Sequence, residues 1–186
     1  MKVWKIKADM GDYQTLITKE EVGLKLMIDL LSANIQNGKY DYLELKIVEG
    51  DGTSESDFIL FWNVSGVLIT NLRTKLFLED MVRDAVEFIP VKLEDTILYI
   101  LNVIKVVDAV DYENTILRRQ SNGLVVGMEK YSFNESLIKE EAIFKVYLKD
   151  KVCIETFVTE KFRTIVEEKH LTGIEFEEVW NSEKLI

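Results

Sequence analysis

The chain opens on a strict alternation. Between residues 3 and 8, Trp4, Ile6 and Ala8 fall on one side and Lys5 and Lys7 on the other, the two-residue period of a half-buried strand. The period then changes. Val22, Leu26, Met27, Leu30 and Ala33 recur at helical spacing. They predict a first helix capped by Thr18, with Glu21 three residues later as in a capping box and Gly38 beyond its end. Residues 42–48 (YLELKIV) alternate again, and 58–62 and 66–70 read as short buried strands. A second helix is predicted from a cap at Thr70 or Asn71 to about Asp84, with Leu72, Leu76, Phe77, Met81 and Ala85 facing inward.

The second half is richer in strands. Residues 86–93 form a strand carrying Pro90, the only proline, which must sit at an edge or bulge because it has no N–H. Residues 96–107 are rich in branched side chains and predict a central strand. Further strands are predicted at 124–128, 142–148 and 152–158. Thr159 caps a third helix over 160–169, and Gly173 follows where a left-handed residue is needed. Residues 175–180 close the chain as a last strand. Runs of strands with about three helices, and no strict βαβ alternation, predict an α+β fold with a mostly antiparallel sheet.

No internal repeat or Pro/Gly/Ser-rich linker interrupts the 186 residues, so a single domain over 1–186 is expected. The polar loop 49–56 (EGDGTSES) is the best hinge candidate and would set residues 1–60 apart as an N-terminal lobe; a tight connection between strands explains it equally well. The MKVWKIKADMGDY start lacks the apolar stretch of a signal peptide. The most apolar region, 97–110, is broken by Asn102, Lys105 and Asp108 and is shorter than a membrane span. A lone cysteine, Cys153, allows no intrachain disulfide and suits a reducing compartment. A cytoplasmic protein without a membrane partner is therefore expected.

Charge narrows the partners. Lys plus Arg number 23 against 33 Asp plus Glu, a net charge of −10. Such a chain is repelled by phosphate backbones, which argues against nucleic acid. The same charge steers it toward a basic partner, or only keeps it soluble.

Little in the sequence points to catalysis. His170, the single histidine, falls in the last turn of the third helix, where a cation meets the helix dipole favourably. A Ser-His-Asp or Cys-His system would have to be built on that residue alone. One Cys and one His cannot supply the usual zinc ligands, and no GxGxxG, GxxxxGK[ST] or GxSxG motif is present. Cys153, in the apolar run KVCIETFV, reads as a small buried hydrophobe. Carboxylates remain: Asp108, Asp111 and Glu113 cluster in VVDAVDYEN, Glu140 and Glu141 stand before a strand, and Glu175, Glu177 and Glu178 lie near the end. Pairs of this kind can hydrolyse a glycosidic bond or bind a divalent cation, yet among 33 acids such clusters also arise as solvated faces. No calcium-loop spacing accompanies them, so no catalytic residue, cofactor or metal is assigned. Tyr112 stands apart from the other aromatics. It follows a turn-like VDAVD and is flanked by acids. An exposed Tyr among carboxylates suits recognition of a basic protein. Asp108, Asp111, Tyr112 and Glu113 are the candidate protein-binding residues.

The segment 86–114, VEFIPVKLEDTILYILNVIKVVDAVDYEN, resembles the signature of a bacterial family of predicted polymorphic-toxin immunity proteins, immunity protein family 11, formerly a domain of unknown function. The family's "eflPV" strand corresponds to Phe88, Ile89, Pro90 and Val91. Its "yyilNvlnvvDalDwe" run corresponds to Tyr99, Asn102, Val107, Asp108, Asp111, Tyr112 and Glu113. An "iFrl" strand matches Ile143, Phe144, Lys145 and Val146. The ending matches Phe157, Val158, Thr159, a helix through Glu168, then Leu171, Thr172, Gly173 and Phe176. Tyr112 replaces the family's usual Trp, Val110 a Leu and Thr115 a Ser, which puts contact details in doubt. The resemblance covers about 65–179 and implies a cognate protein toxin as partner, without fixing the toxin's class. A surface that discriminates between toxins should vary, so the shared motif need not be the binding site. Asn102 and Asp108 are expected to satisfy backbone groups at a strand end. Two other readings stand beside this one: a carboxylate-dependent hydrolase of sugars or phosphate esters, and a non-catalytic regulatory or adaptor domain.

Overall fold

The computed structural model describes residues 1–22, 24–64 and 66–184. Gly23, inside the first predicted helix, and Ser65, at the start of the resemblance, lie outside the described residues. Among the described residues the elements run β1 (Lys2–Ala8), β2 (Thr15–Thr18), α1 (Leu24–Leu31), β3 (Leu43–Ile47), β4 (Phe58–Phe61), β5 (Leu68–Thr70), α2 (Leu72–Val82) and β6 (Val86–Leu93). They continue as β7 (Thr96–Val103), β8 (Val106–Val107), β9 (Ile116–Arg119), β10 (Val125–Lys130), α3 (Glu135–Ile138), β11 (Ile143–Leu148), β12 (Lys151–Val152), β13 (Phe157–Thr159), α4 (Glu160–Glu168) and β14 (Ile174–Asn181). The fold is α+β, dominated by strands. No helix among the described residues is long and apolar enough to cross a membrane.

Two β units carry the architecture. Strands β2-β3-β6-β7-β5-β4 close into a six-stranded barrel. Its neighbours are antiparallel except β2 with β4 and β3 with β6, which run parallel. Closure leaves no open edge. Leu16, Leu45, Phe61, Ile69, Ile89, Val91, Leu98 and Ile100 fill the barrel core, and α1 adds Leu26 and Leu30 to it. The second unit is a sheet in the order β12-β11-β13-β1-β14, with β8 parallel to β11. One face of this sheet offers Trp4, Ile6, Ile143 and Val158 to a core shared with Leu78 and Val82 of α2, Phe162 and Val166 of α4, and Val86, Leu101 and Val103 of the barrel strands. The other face offers Val3, Phe144, Phe157 and Trp180, which gather around Phe133 and Ile138. Phe133 meets Phe144, Phe157 and Trp180 edge-on at centroid distances of 6.3, 5.3 and 5.8 Å, the arrangement the ring quadrupoles favour.

Several expectations are realised and several are corrected. Asn71 caps α2, its side chain accepting the Thr74 N–H at 2.9 Å. Thr159 precedes α4, but its hydroxyl donates to the Glu141 carbonyl at 2.7 Å instead of capping the helix. Thr18 does not cap α1 either. It ends β2, a strand that the pattern of the first helix hid, where its N–H donates to Asn63 Oδ1 at 2.9 Å. The predicted strand 96–107 breaks into β7 and β8, because the N–H groups of Ile104 and Lys105 both turn to the Ala85 carbonyl. The strand predicted at 152–158 likewise becomes β12 and β13, and β9 and α3 occur in segments with no strand or helix assigned to them.

Pro90 sits inside a closed barrel, and its missing donor is still accommodated. Its carbonyl accepts the Tyr42 N–H on the β3 side, so its nitrogen faces that side too, where the ladder with β3 begins only at Val91. Loop 49–56 is pinned against the segment after β1. Asp12 accepts the Thr53 N–H at 3.2 Å and the hydroxyls of Thr53 and Ser54 at 3.1 and 3.4 Å.

One interior charge ties the sheet to the barrel side. Lys145 of β11 is only 2% exposed. Its ammonium donates to the carbonyls of Leu30 and Leu31 at 3.1 and 3.2 Å, two groups that a helix C-terminus leaves without intrahelical partners. Burial pushes its pKa down to about 8 from 10.5. A lysine whose folded pKa is depressed costs stability while both states hold the proton. Stability therefore rises with pH from about 8 toward 10.5, where only the unfolded chain stays protonated. Cys153, whose thiol burial raises to about 11 from 9.0, acts the other way above pH 9, so the clean window is pH 8 to 9. Urea denaturation is expected to show a gain of about 1 kcal/mol across that unit. Lys145→Met is expected to abolish the gain.

Candidate functional site

The four residues singled out by sequence come together at one open cleft of about 390 Å³. Asp108, Ala109, Val110, Asp111, Tyr112 and Glu113 line it from one strand-to-turn segment, and Asn134 and Leu137 face them from α3 and its approach. The segment is held from below. Val110 bridges Phe133, the Asp111 N–H donates to the Ser132 carbonyl at 2.9 Å, and the Asn134 N–H donates to the Ala109 carbonyl at 2.8 Å. Ala109 and Val110 bury their side chains in the aromatic core, which leaves their neighbours on the rim.

Within the cleft the four residues do different things. Asp111 organises the turn that follows it. Its carboxylate accepts the Asn114 amide at 2.7 Å, the Ser132 hydroxyl at 3.0 Å and the Glu113 N–H at 3.1 Å. The Asn114 bond leads the causes that hold its pKa below the ordinary 3.8, against a smaller upward push from burial. Tyr112 is 44% exposed, yet its hydroxyl is engaged. It accepts the Lys149 N–H at 2.6 Å and reaches the Tyr147 carbonyl at 3.4 Å, bracing the turn between β11 and β12. Asp108 and Glu113 are exposed, and neither carboxylate has a partner among the described residues. The groups that the cleft leaves open are thus two free carboxylates, the Tyr112 ring and the exposed Leu137.

Asn102 meets the expectation placed on it, at a distance in sequence. Its amide donates to the Asn34 carbonyl at 3.0 Å and to Glu87 at 2.9 Å. Asp108 makes no such bond. His170 lies just past α4 with φ +51, its N–H donating to the Glu167 carbonyl. Cys153 is buried at 4% exposure, its thiol held well above its ordinary pKa. No cluster of three metal-ligating side chains occurs among the described residues.

Sequence reasoning passed over Asp57, a buried carboxylate that accepts five hydrogen bonds from the described residues. Its Oδ1 accepts from Asn71 Nδ2 at 3.2 Å, Arg73 Nη1 at 3.0 Å and Thr74 Oγ1 at 3.2 Å. Its Oδ2 accepts the Thr172 N–H at 3.0 Å and the Thr172 hydroxyl at 3.2 Å. It thereby joins the entry of β4, the start of α2 and the loop before β14. The Asn71 cap was its one legible neighbour.

The barrel, the aromatic-backed sheet and the open acidic cleft belong to an α+β protein dominated by strands. The family model described as Immunity protein family (Imm11) matches residues 55–181, more than half of the chain. The chain belongs to this immunity protein family, as the resemblance in its central strands implied. No curated protein matches it.

Proposed function

We propose that this chain binds a cognate bacterial protein toxin in the cytoplasm and neutralises it by occupying its surface, without catalysing a reaction. The observation that carries this reading is the immunity-family match over 55–181. The net charge of −10 supports a basic toxin, because complementary fields speed association. Asp108, Glu113 and the Tyr112 ring, which line the same cleft, are offered as contact groups. Asp111 acts behind them as a positioning residue.

Co-expression with the toxin encoded by the neighbouring gene tests the reading. Rescue of growth and co-purification of the two proteins are expected. The association rate should fall as salt is raised, and Asp108→Asn with Glu113→Gln should slow it by about 3- to 10-fold at low salt with little change in dissociation. Absence of any complex, or a substrate turned over by this chain alone, would overturn the proposal.

A further inference from the structure

Helix α1 reads LKLMIDLL, six apolar residues in eight. A helix that merely covers a core keeps its outer face polar. Here Leu26 and Leu30 are 1% and 0% exposed in the barrel core, while Leu24 and Ile28, one turn apart, are 65% and 48% exposed. Ile35, in the segment leaving the helix, is 58% exposed. The flanks are acidic. Glu20, Glu21 and Asp41 line a cleft of about 300 Å³ together with Val22, Leu43 and the exposed ring of Tyr42. The ion pairs nearby, Lys19–Glu44 and Lys39–Asp29, use none of those three acids, and Lys25 is the one cation of segment 19–44 outside a pair.

This surface is rigidly presented. Lys145 holds the last carbonyls of α1. Glu87 accepts the N–H groups of Gln36 at 2.9 Å and Asn37 at 2.9 Å. Asn102 holds the Asn34 carbonyl. All three clamping residues belong to the family-matched span 55–181, and the segment they hold lies outside it. The ridge is thus held in place by residues distant in sequence, and a pre-ordered ridge loses little entropy on binding.

We propose that the outward face of α1, with its Glu20–Glu21–Asp41 flank, is the anchor on which the toxin docks. The partner surface is an apolar depression edged by Lys or Arg. Charge complementarity selects it: the ridge is apolar, its free rim charges are three carboxylates against the single Lys25, and a basic partner edge pairs with the acidic majority. The inference rests on the toxin-binding reading and adds to the Asp108–Glu113 cleft a second, separate contact surface.

The experiment measures binding of the purified neighbouring-gene toxin to wild type and to the double variant Leu24→Gln, Ile28→Gln, with circular dichroism and melting to confirm an unchanged fold. Gln is compatible with the helix. The double variant is expected to raise Kd by about 100-fold, chiefly through faster dissociation, and to lose protection in cells. Glu20→Gln, Glu21→Gln and Asp41→Asn together are expected to slow association by about 10-fold at low salt only. If wild type binds and the double variant binds within about threefold of it, the ridge is not the anchor, and toxin binding itself still stands. If wild type does not bind, the functional reading fails and the ridge assignment falls with it. A concentration-dependent dimer that the double variant breaks, with toxin binding intact, would give the face to a second copy of the chain and overturn the proposal. Should the Gln pair disturb the helix, Leu24→Ala with Ile28→Ala reads the same contact.

Discussion

Asp57→Ala is expected to cost about 3–5 kcal/mol of folding stability, measured by chemical denaturation. The carboxylate is buried, and five donors from four residues converge on it. Truncation leaves the Thr172 N–H, the Asn71 amide and the Thr74 hydroxyl facing a void, and it leaves Arg73 without its ion-pair partner. The loss follows from leaving these groups unsatisfied more than from the net worth of the bonds, which water would partly replace in the unfolded chain. The same group sets an acid limb. Burial pushes its pKa up, but the Thr172 N–H, the Asn71 amide, Arg73 and the Thr172 hydroxyl together pull it further down, below 3.8. A carboxyl depressed in the fold contributes stability that is complete above its unfolded value. That stability drains away as pH falls from about 3.8 through the folded pKa. Asp57→Asn, which does not titrate, should therefore flatten the decline of stability below pH 4.

Gly173→Ala is expected to be at least as damaging, with a loss of about 4 kcal/mol or more, or no soluble folded protein. The residue sits at φ +85, a conformation that side chains disfavour. A Cβ there would lie 2.0 Å from the Phe58 carbonyl oxygen and 2.7 Å from the Ser56 side chain. The Phe58 N–H donates to the Thr172 carbonyl at 2.9 Å and the Asp9 N–H to the Gly173 carbonyl at 3.1 Å, so two backbone segments close on this glycine and neither can retreat. Asp57 and Gly173 belong to one knot where the loop before β14 crosses the entry to β4. Their effects are expected to be less than additive, because each mutation already loosens the contacts of the other.

Much of the fold was legible where side-chain period and local chemistry agree. Strands β1, β6 and β14, helices α2 and α4, the Asn71 cap and the left-handed Gly173 all announce themselves within a few residues. What was hidden depends on pairing across long stretches of chain. The barrel closes through two parallel contacts, β2 with β4 and β3 with β6, and nothing local in TLIT or LELKI specifies a parallel partner. The turn at Ile104 and Lys105 depends on the distant Ala85 carbonyl, so the branched run reads as one strand.

The candidate site was legible in part. Asp108, Asp111, Tyr112 and Glu113 do share a cleft, but which carboxylate stays free depends on Asn114 and Ser132. The hydroxyl of Tyr112 is engaged by a backbone turn 37 residues away. Asp57 reads as one more acid in an acidic loop. Lys145 reads as the polar position of an alternating strand. Leu26 and Leu30 were legible as the inward repeat of α1, but only the folded barrel shows that Leu24 and Ile28 stay exposed.

Binding alone, without chemistry, is the proposed mode of action. The decisive measurement titrates the purified chain into the purified neighbouring-gene toxin while following toxin activity and the intact masses of both proteins. A saturable complex is expected, in which toxin activity falls in proportion to the fraction bound and both masses stay unchanged. Inactivation by a small substoichiometric amount of the chain, or a mass change on the toxin, would contradict it.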